Sequence, residues 1–139
     1  MALKVLVTGG AGYIGSHTIV ELLLEGHEVV CLDNFCNSSP KAIDRIIKIS
    51  DDEGLSDPAI TVIEGDIRSE ETIKNIFKSH SIESVIHFAG LKAIGESVEK
   101  PLKYYNNNVG GTLNLLQAMQ NAEVYQIVFS STATVYGEP

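Results

Sequence analysis

The sequence is short of positive charge: ten Lys and Arg stand against eighteen Asp and Glu, a formal net charge of −8 over 139 residues. Nucleic acid and anionic lipid surfaces are bound by clustered basic side chains, so neither a nucleic-acid nor a membrane partner is expected. An anionic ligand would have to be held by local devices. Cysteine is equally scarce. Cys31 lies in an apolar stretch and Cys36 in a polar one, with no second Cys or His pair at metal-ligand spacing, which reads as one buried thiol and one loop thiol and gives no metal site. His17, His27, His80 and His87 are scattered and are assigned no chemistry. Long apolar runs are missing too. The first one ends at Thr8-Gly9-Gly10, too short for a signal-peptide core or a membrane span, so a cytoplasmic protein is expected.

What is present, 44% hydrophobic and 20% charged residues, suits one packed domain of ordinary composition. Lys4 to Val7 reads as a strand buried on both sides, and Tyr13 to Glu25 as a helix stopped by Gly26. Glu28 to Leu32 is a second strand ending at Asp33, and a helical pattern from Ala42 to Ile47 follows Pro40. The acidic stretch from Asp51 to Pro58 reads as a loop, and Ile60 to Glu64 as strand three. Ser69, followed by Glu70 and Glu71, looks like a helix N-cap with acids in the first turn. Ser84 to Phe88 is strand four. After Pro101, Leu102, Tyr105, Val109, Leu113, Leu116 and Met119 recur at three or four residues, which argues one long helix despite Gly110 and Gly111. Gln126 to Phe129 is strand five. Strands alternating with helices predict an α/β fold, a doubly wound parallel sheet of the Rossmann type that the chain carries through its fifth strand.

The turn between strand one and helix one carries the chemistry. Gly10-Ala11-Gly12-Tyr13-Ile14-Gly15 is G-x-G-x-x-G, and Gly9, Gly12 and Gly15 fit the wider spacing G-x-x-G-x-x-G. A side chain at the central glycine would keep a pyrophosphate from the backbone N–H groups, and the last glycine allows close helix–sheet packing. The helix N-terminus supplies unpaired N–H groups and the positive end of its dipole, which accounts for anion binding in an acidic chain. Asp33 follows at about the interval expected for a ribose-binding acid; its carboxylate can accept both ribose hydroxyls and would repel a 2′-phosphate, so NAD is favoured over NADP. Asp66 has either of two uses, reaching the adenine or forming the turn before Ser69. Phe88-Ala89-Gly90 leaves strand four with small residues that give a cofactor room, and Lys92 either neutralises a phosphate or is solvated.

Together with Asp66-Ile67, Asn108-Val109-Gly110-Gly111-Thr112 and Phe129-Ser130-Ser131, these residues resemble the extended short-chain dehydrogenase/reductase family. Within it, His87 to Ser97, Pro101 to Tyr105 and Thr132 to Gly137 resemble the UDP-hexose 4-epimerase branch. The resemblance implies that Tyr13 and Ile14 contact the pyrophosphate, that Asp33, Asn34, Phe35, Cys36, Asn37 and Ser38 surround the adenosine ribose, and that Asp66 and Ile67 flank the adenine. It places Phe88, Ala89, Gly90, Lys92 and Asn107 along the rest of the NAD site, and Thr132, with Ala133 and Thr134, beside the sugar. Thr132 is the implied catalytic hydroxyl. The implied reaction interconverts UDP-galactose and UDP-glucose through a 4-keto sugar.

The family's base is a Tyr in Tyr-x-x-x-Lys, and no Tyr in this sequence is followed by Lys at that distance; after Tyr13, the position holds His17. The expectation is an incomplete NAD-binding domain over residues 1–139 without the C-terminal substrate domain, inactive by itself and with the helix after Pro101 as the element through which a homodimer would pair. Two other readings stand beside it. A sugar-nucleotide dehydratase or decarboxylase would share fold and cofactor, but family dehydratases carry Asp-Glu where Ala133-Thr134 stands. A non-catalytic NAD-binding module would fit the missing base.

Overall fold

The computed structural model describes residues 1–132 and 135–137. Five strands, β1 (Lys4–Thr8), β2 (Glu28–Asp33), β3 (Ile60–Glu64), β4 (Ser84–His87) and β5 (Gln126–Phe129), form one parallel sheet in the order β3-β2-β1-β4-β5. This is the expected doubly wound Rossmann arrangement. The order reverses between β1 and β4, and in open α/β sheets that switch point leaves a crevice beyond the strands' carboxyl ends.

Successive strand side chains point to opposite faces, and the sequence fills both. Leu6, Val30, Leu32 and Val85 pack with Ile73 and Ile76 of α3 (Glu70–Ser79) and with Leu115 and Met119 of α6 (Gly111–Asn121). Val5, Val7, Val29 and Cys31 meet Ile19 and Leu23 of α1 (Tyr13–Leu24) and Ile43 and Ile46 of α2 (Lys41–Asp52). Each fully buried aliphatic side chain contributes about 1.5–3 kcal/mol, so these two layers hold the crevice in shape. Burial also pushes the Cys31 thiol up to about 12, which makes it an inert apolar filler. Ser69 caps α3 as expected, its Oγ accepting the Thr72 N–H at 3.2 Å.

Three elements depart from the sequence reading. Asp51 and Asp52 belong to the last turn of α2 rather than to a loop. A short helix, α4 (Ile94–Glu99), was not anticipated; Glu96 ties it to α5 (Pro101–Tyr104) by accepting from Lys103 Nζ at 2.7 Å and the Tyr104 hydroxyl at 3.1 Å. The helix after Pro101 is continuous to Asn121, but its middle, Tyr105–Gly110, is π-helical. Its apolar stripe faces outward from Leu102 to Leu116, while Met119 is buried. Leu102 is 81% exposed and Leu113 60%, whereas the buried side holds Tyr104, Asn107, Gly111, Leu115 and Met119. The reason is Gly111: a Cβ there would meet the Ile67 side chain at 2.5 Å, so the glycine side, not the leucine side, lies against the domain.

Candidate functional site

Beyond the carboxyl end of β1 the chain turns at Gly9, whose φ is +66°, and Gly9 donates its N–H to the Leu32 carbonyl at 2.7 Å. A Cβ at Gly9 would lie 2.7 Å from the backbone nitrogen of Ala89. Both the dihedral and the close approach to the end of β4 therefore require glycine. A Cβ at Gly15 would strike the Gly9 carbonyl and lie 2.8 Å from Gly10 Cα, so this glycine lets α1 start tightly against the turn. Gly12 differs: its only neighbour at that position is the Gly9 carbonyl at 3.2 Å. It is the N-cap of α1 and places no side chain on the first-turn N–H groups. Those groups and the positive end of a 12-residue helix are left for an anion.

The cradle opens into a cavity of about 350 Å³. Its wall runs from Asn34, Cys36, Asn37 and Ser38, past Gly9, Gly12, Tyr13, Ile14 and Gly15, to Phe88, Ala89, Gly90, Lys92 and Asn107, with Asp33 and Ile67 between. Of the residues expected around a cofactor, Phe35 and Asp66 are off the wall. Leu32, Gly65, Leu91 and Ala93 are on it without having been singled out; each adjoins a residue that was, so adjacency was the available signal. Phe35 sits at φ +53° and packs against the α1–α2 layer instead.

Asp33 is buried where β2 ends, and its carboxylate already accepts three hydrogen bonds. Ala11 N–H reaches Oδ2 at 2.9 Å, while Phe35 N–H at 2.9 Å and the Ser38 hydroxyl at 2.8 Å reach Oδ1. A carboxylate offers about four acceptor positions, so one remains, on Oδ2, for a ligand hydroxyl. A second hydroxyl would need Ser38 to turn away. Asp66 has no such vacancy: Arg68 donates from its backbone N, Nε and Nη2, at 2.7–3.0 Å, and Asn34 Nδ2 donates at 3.0 Å. The Arg68 guanidinium holds the Asp66 carboxyl well below the usual carboxylate range. Its backbone carbonyl also accepts the Ser69 N–H, the turn-forming use weighed above.

At the other end of the wall, His87 closes β4, is 2% exposed, and makes hydrogen bonds through both ring nitrogens. Burial lowers its pKa to about 4, so the ring is neutral at ordinary pH. Thr132 follows β5 and is exposed rather than part of the wall; Ala133 and Thr134 lie outside the described residues. Among the described residues no cluster of three potential metal ligands occurs, and no helix is long and apolar enough to cross a membrane.

Known proteins share this arrangement closely. A family model described as GDP-mannose 4,6 dehydratase matches residues 6–139. The UDP-glucose 4-epimerase of Klebsiella pneumoniae is 59% identical over 136 residues, 98% of this chain and 94% of that protein. The chain belongs to the UDP-glucose 4-epimerase family. The Haemophilus influenzae epimerase is 58% identical over 137 residues, and there the chain spans 39% of the relative's length. Among solved structures, the epimerase of Bifidobacterium longum in complex with NAD+ and UDP is similar with a TM-score of 0.89 and 48% identity, over 96% of this chain and 38% of that one. That of Stenotrophomonas maltophila, with NAD and formylated UDP-arabinopyranose, gives 0.88 and 45% over 99% and 39%.

Proposed function

We propose that this chain forms the NAD-binding part of a UDP-glucose 4-epimerase. The observation that carries the reading is the joining, in one cavity, of a side-chain-free helix N-terminus at Gly12 to a buried carboxylate with one open acceptor position at Asp33. The donor set fits the cofactor: N–H groups of α1 for the pyrophosphate, Asp33 for a ribose hydroxyl, Ile67 for the adenine face, and Lys92 and Asn107 toward the nicotinamide side. Asp66, with its acceptors filled, shapes the adenine loop through Arg68 and Asn34. Bound NAD would supply reversible hydride transfer at C4 of UDP-galactose or UDP-glucose, by way of a 4-keto sugar. By the family resemblance, Thr132 would hydrogen-bond the sugar hydroxyl, with Ala133 and Thr134 next to it in the sequence. Ala133-Thr134 offers no acid for an elimination, which favours epimerase over dehydratase despite the description of the family model.

The test is a comparison of ligands. NAD should raise the melting temperature more than NADP, because a 2′-phosphate beside Asp33 pairs two anions; Asp33→Ala should narrow the difference. Equal stabilisation by both nucleotides would sink the specificity argument. With UDP-galactose and NAD, the 139-residue chain should form no UDP-glucose, since its sequence holds no Tyr-x-x-x-Lys base, and joining it to the C-terminal part of a relative should restore turnover. Turnover by the chain alone would remove the assignment of the base. The outward stripe of Leu102, Tyr105, Val109, Leu113 and Leu116 is the seam through which two copies would pair.

A further inference from the structure

Gly90 lies mid-wall in a stretch without helix or strand, between β4 and α4, yet both of its neighbours are fixed from behind. Ala89 donates its N–H to Thr8 Oγ1 at 3.3 Å, and Thr8 Oγ1 lies 2.6 Å from His87 Nδ1. His87 Nε2 lies 3.0 Å from Thr112 Oγ1, and the Thr112 hydroxyl donates to the Asn108 carbonyl at 2.6 Å. Asn108 then grips Leu91 with both ends of its amide: Oδ1 accepts the Leu91 N–H at 2.8 Å and Nδ2 donates to the Leu91 carbonyl at 2.9 Å. The path runs from one side of Gly90 to the other and closes.

Proton counting fixes its direction. A Thr hydroxyl has one proton, and that of Thr112 is committed to Asn108, so Thr112 Oγ1 must accept from His87 Nε2–H. His87 Nδ1 is then an acceptor, and the Thr8 hydroxyl donates to it while accepting from Ala89. Every polar atom of the path has a partner of the right sense, and among the described residues no buried side-chain nitrogen or oxygen lacks one. The π-helical turn at Tyr105–Gly110 sets the two asparagines side by side, and Asn107, itself on the cavity wall, donates to Asn108 Oδ1 at 2.9 Å.

We propose that His87, Thr112 and Asn108 are positioning residues of the cofactor site, closing a hydrogen-bonded ring that holds Ala89 and Leu91 on either side of Gly90. The proposal rests on the NAD reading above. None of the three needs to touch the cofactor: they act through the backbone they hold and through Asn107.

The decisive pair of variants is Thr112→Val, which removes the hydroxyl at nearly constant shape, and Thr112→Ser, which keeps it. Two quantities are read on each, the NAD dissociation constant by calorimetry and, without nucleotide, hydrogen exchange at the Leu91 amide, which Thr112 does not contact. Thr112→Val should weaken NAD by about tenfold and speed Leu91 exchange by a similar factor, as expected for one lost buried hydrogen bond; Thr112→Ser should match the parent in both. The proposal is overturned by a Thr112→Val that binds NAD as the parent does, by one that binds weakly with Leu91 exchange unchanged, or by a Thr112→Ser as defective as Thr112→Val. If Thr112→Val fails to fold, Asn108→Asp, which keeps the Leu91 N–H acceptor but sets an oxygen against the Leu91 carbonyl, is read in the same two ways. A parent chain that binds no NAD would refute the functional reading, and the exchange data would then still decide whether the ring exists.

Discussion

The two ends of the cavity are built from different material. At the β1–α1–β2 end the wall is backbone: Gly9, Gly12 and Gly15 bring main chain against main chain, and the one charged group, Asp33, is held mostly by N–H donors. At the β4 end, main chain between Phe88 and Ala93 has no regular partner and is held by side chains, chiefly His87, Thr8, Thr112 and Asn108. The first end is sensitive to added volume and the second to lost polarity or altered charge.

Gly15→Val tests the first end and should have the largest effect. Its Cβ meets backbone at Gly9 and Gly10, which cannot turn aside as a flexible side chain can. The cost should reach or exceed the top of the range of about 1–3 kcal/mol usual for overpacking, with NAD binding abolished. Denaturant melts and calorimetry read both, and a variant of near-parent stability would mean that α1 can slide on the turn.

At the second end the probe is pH. His87 in the folded chain takes a proton only near pH 4, whereas the unfolded chain does so near 6.5. Stability from this group is therefore complete above pH 6.5 and is lost as the pH falls toward 4, by about 3 kcal/mol in all. Asp66, held below the carboxylate range by Arg68, loses its contribution only at lower pH, so the windows separate. Urea midpoints measured across pH 4 to 7 should slope downward toward acid, and His87→Phe should flatten that slope. An unchanged slope in the variant would place the titration elsewhere.

This contrast explains what could be read before the fold was known. Glycine spacing reports backbone approach directly, and short continuous apolar runs report strands buried on both faces, so the sheet and the phosphate cradle were legible. His87 was passed over because one histidine among strand residues carries no signal of its two partners, Thr8 and Thr112, which lie 79 and 25 residues away. Asp66 was left with two uses because a carboxylate's availability depends on its neighbours; Arg68, two residues on, and Asn34 fill its acceptor positions. The stripe from Leu102 to Leu116 gave the helix but not its orientation, since periodicity locates an apolar side without saying whether this domain or another surface covers it.

Among the described residues, two exposed apolar surfaces lie outside the cavity wall, and they can be separated by effects that are small on stability. The helix stripe includes Leu113; the edge strand β5 presents Val128 and Phe129, 62% and 58% exposed. An apolar open edge invites strand-to-strand pairing that does not close, whereas a helix stripe suits a closed pair. Leu113→Lys and Val128→Lys should each change the unfolding free energy by no more than about 0.5 kcal/mol, as exposed substitutions do. In sedimentation, Leu113→Lys should remove a discrete dimer and leave larger aggregates, while Val128→Lys should remove the aggregates and leave the dimer. Both variants behaving like the parent would show that neither surface associates.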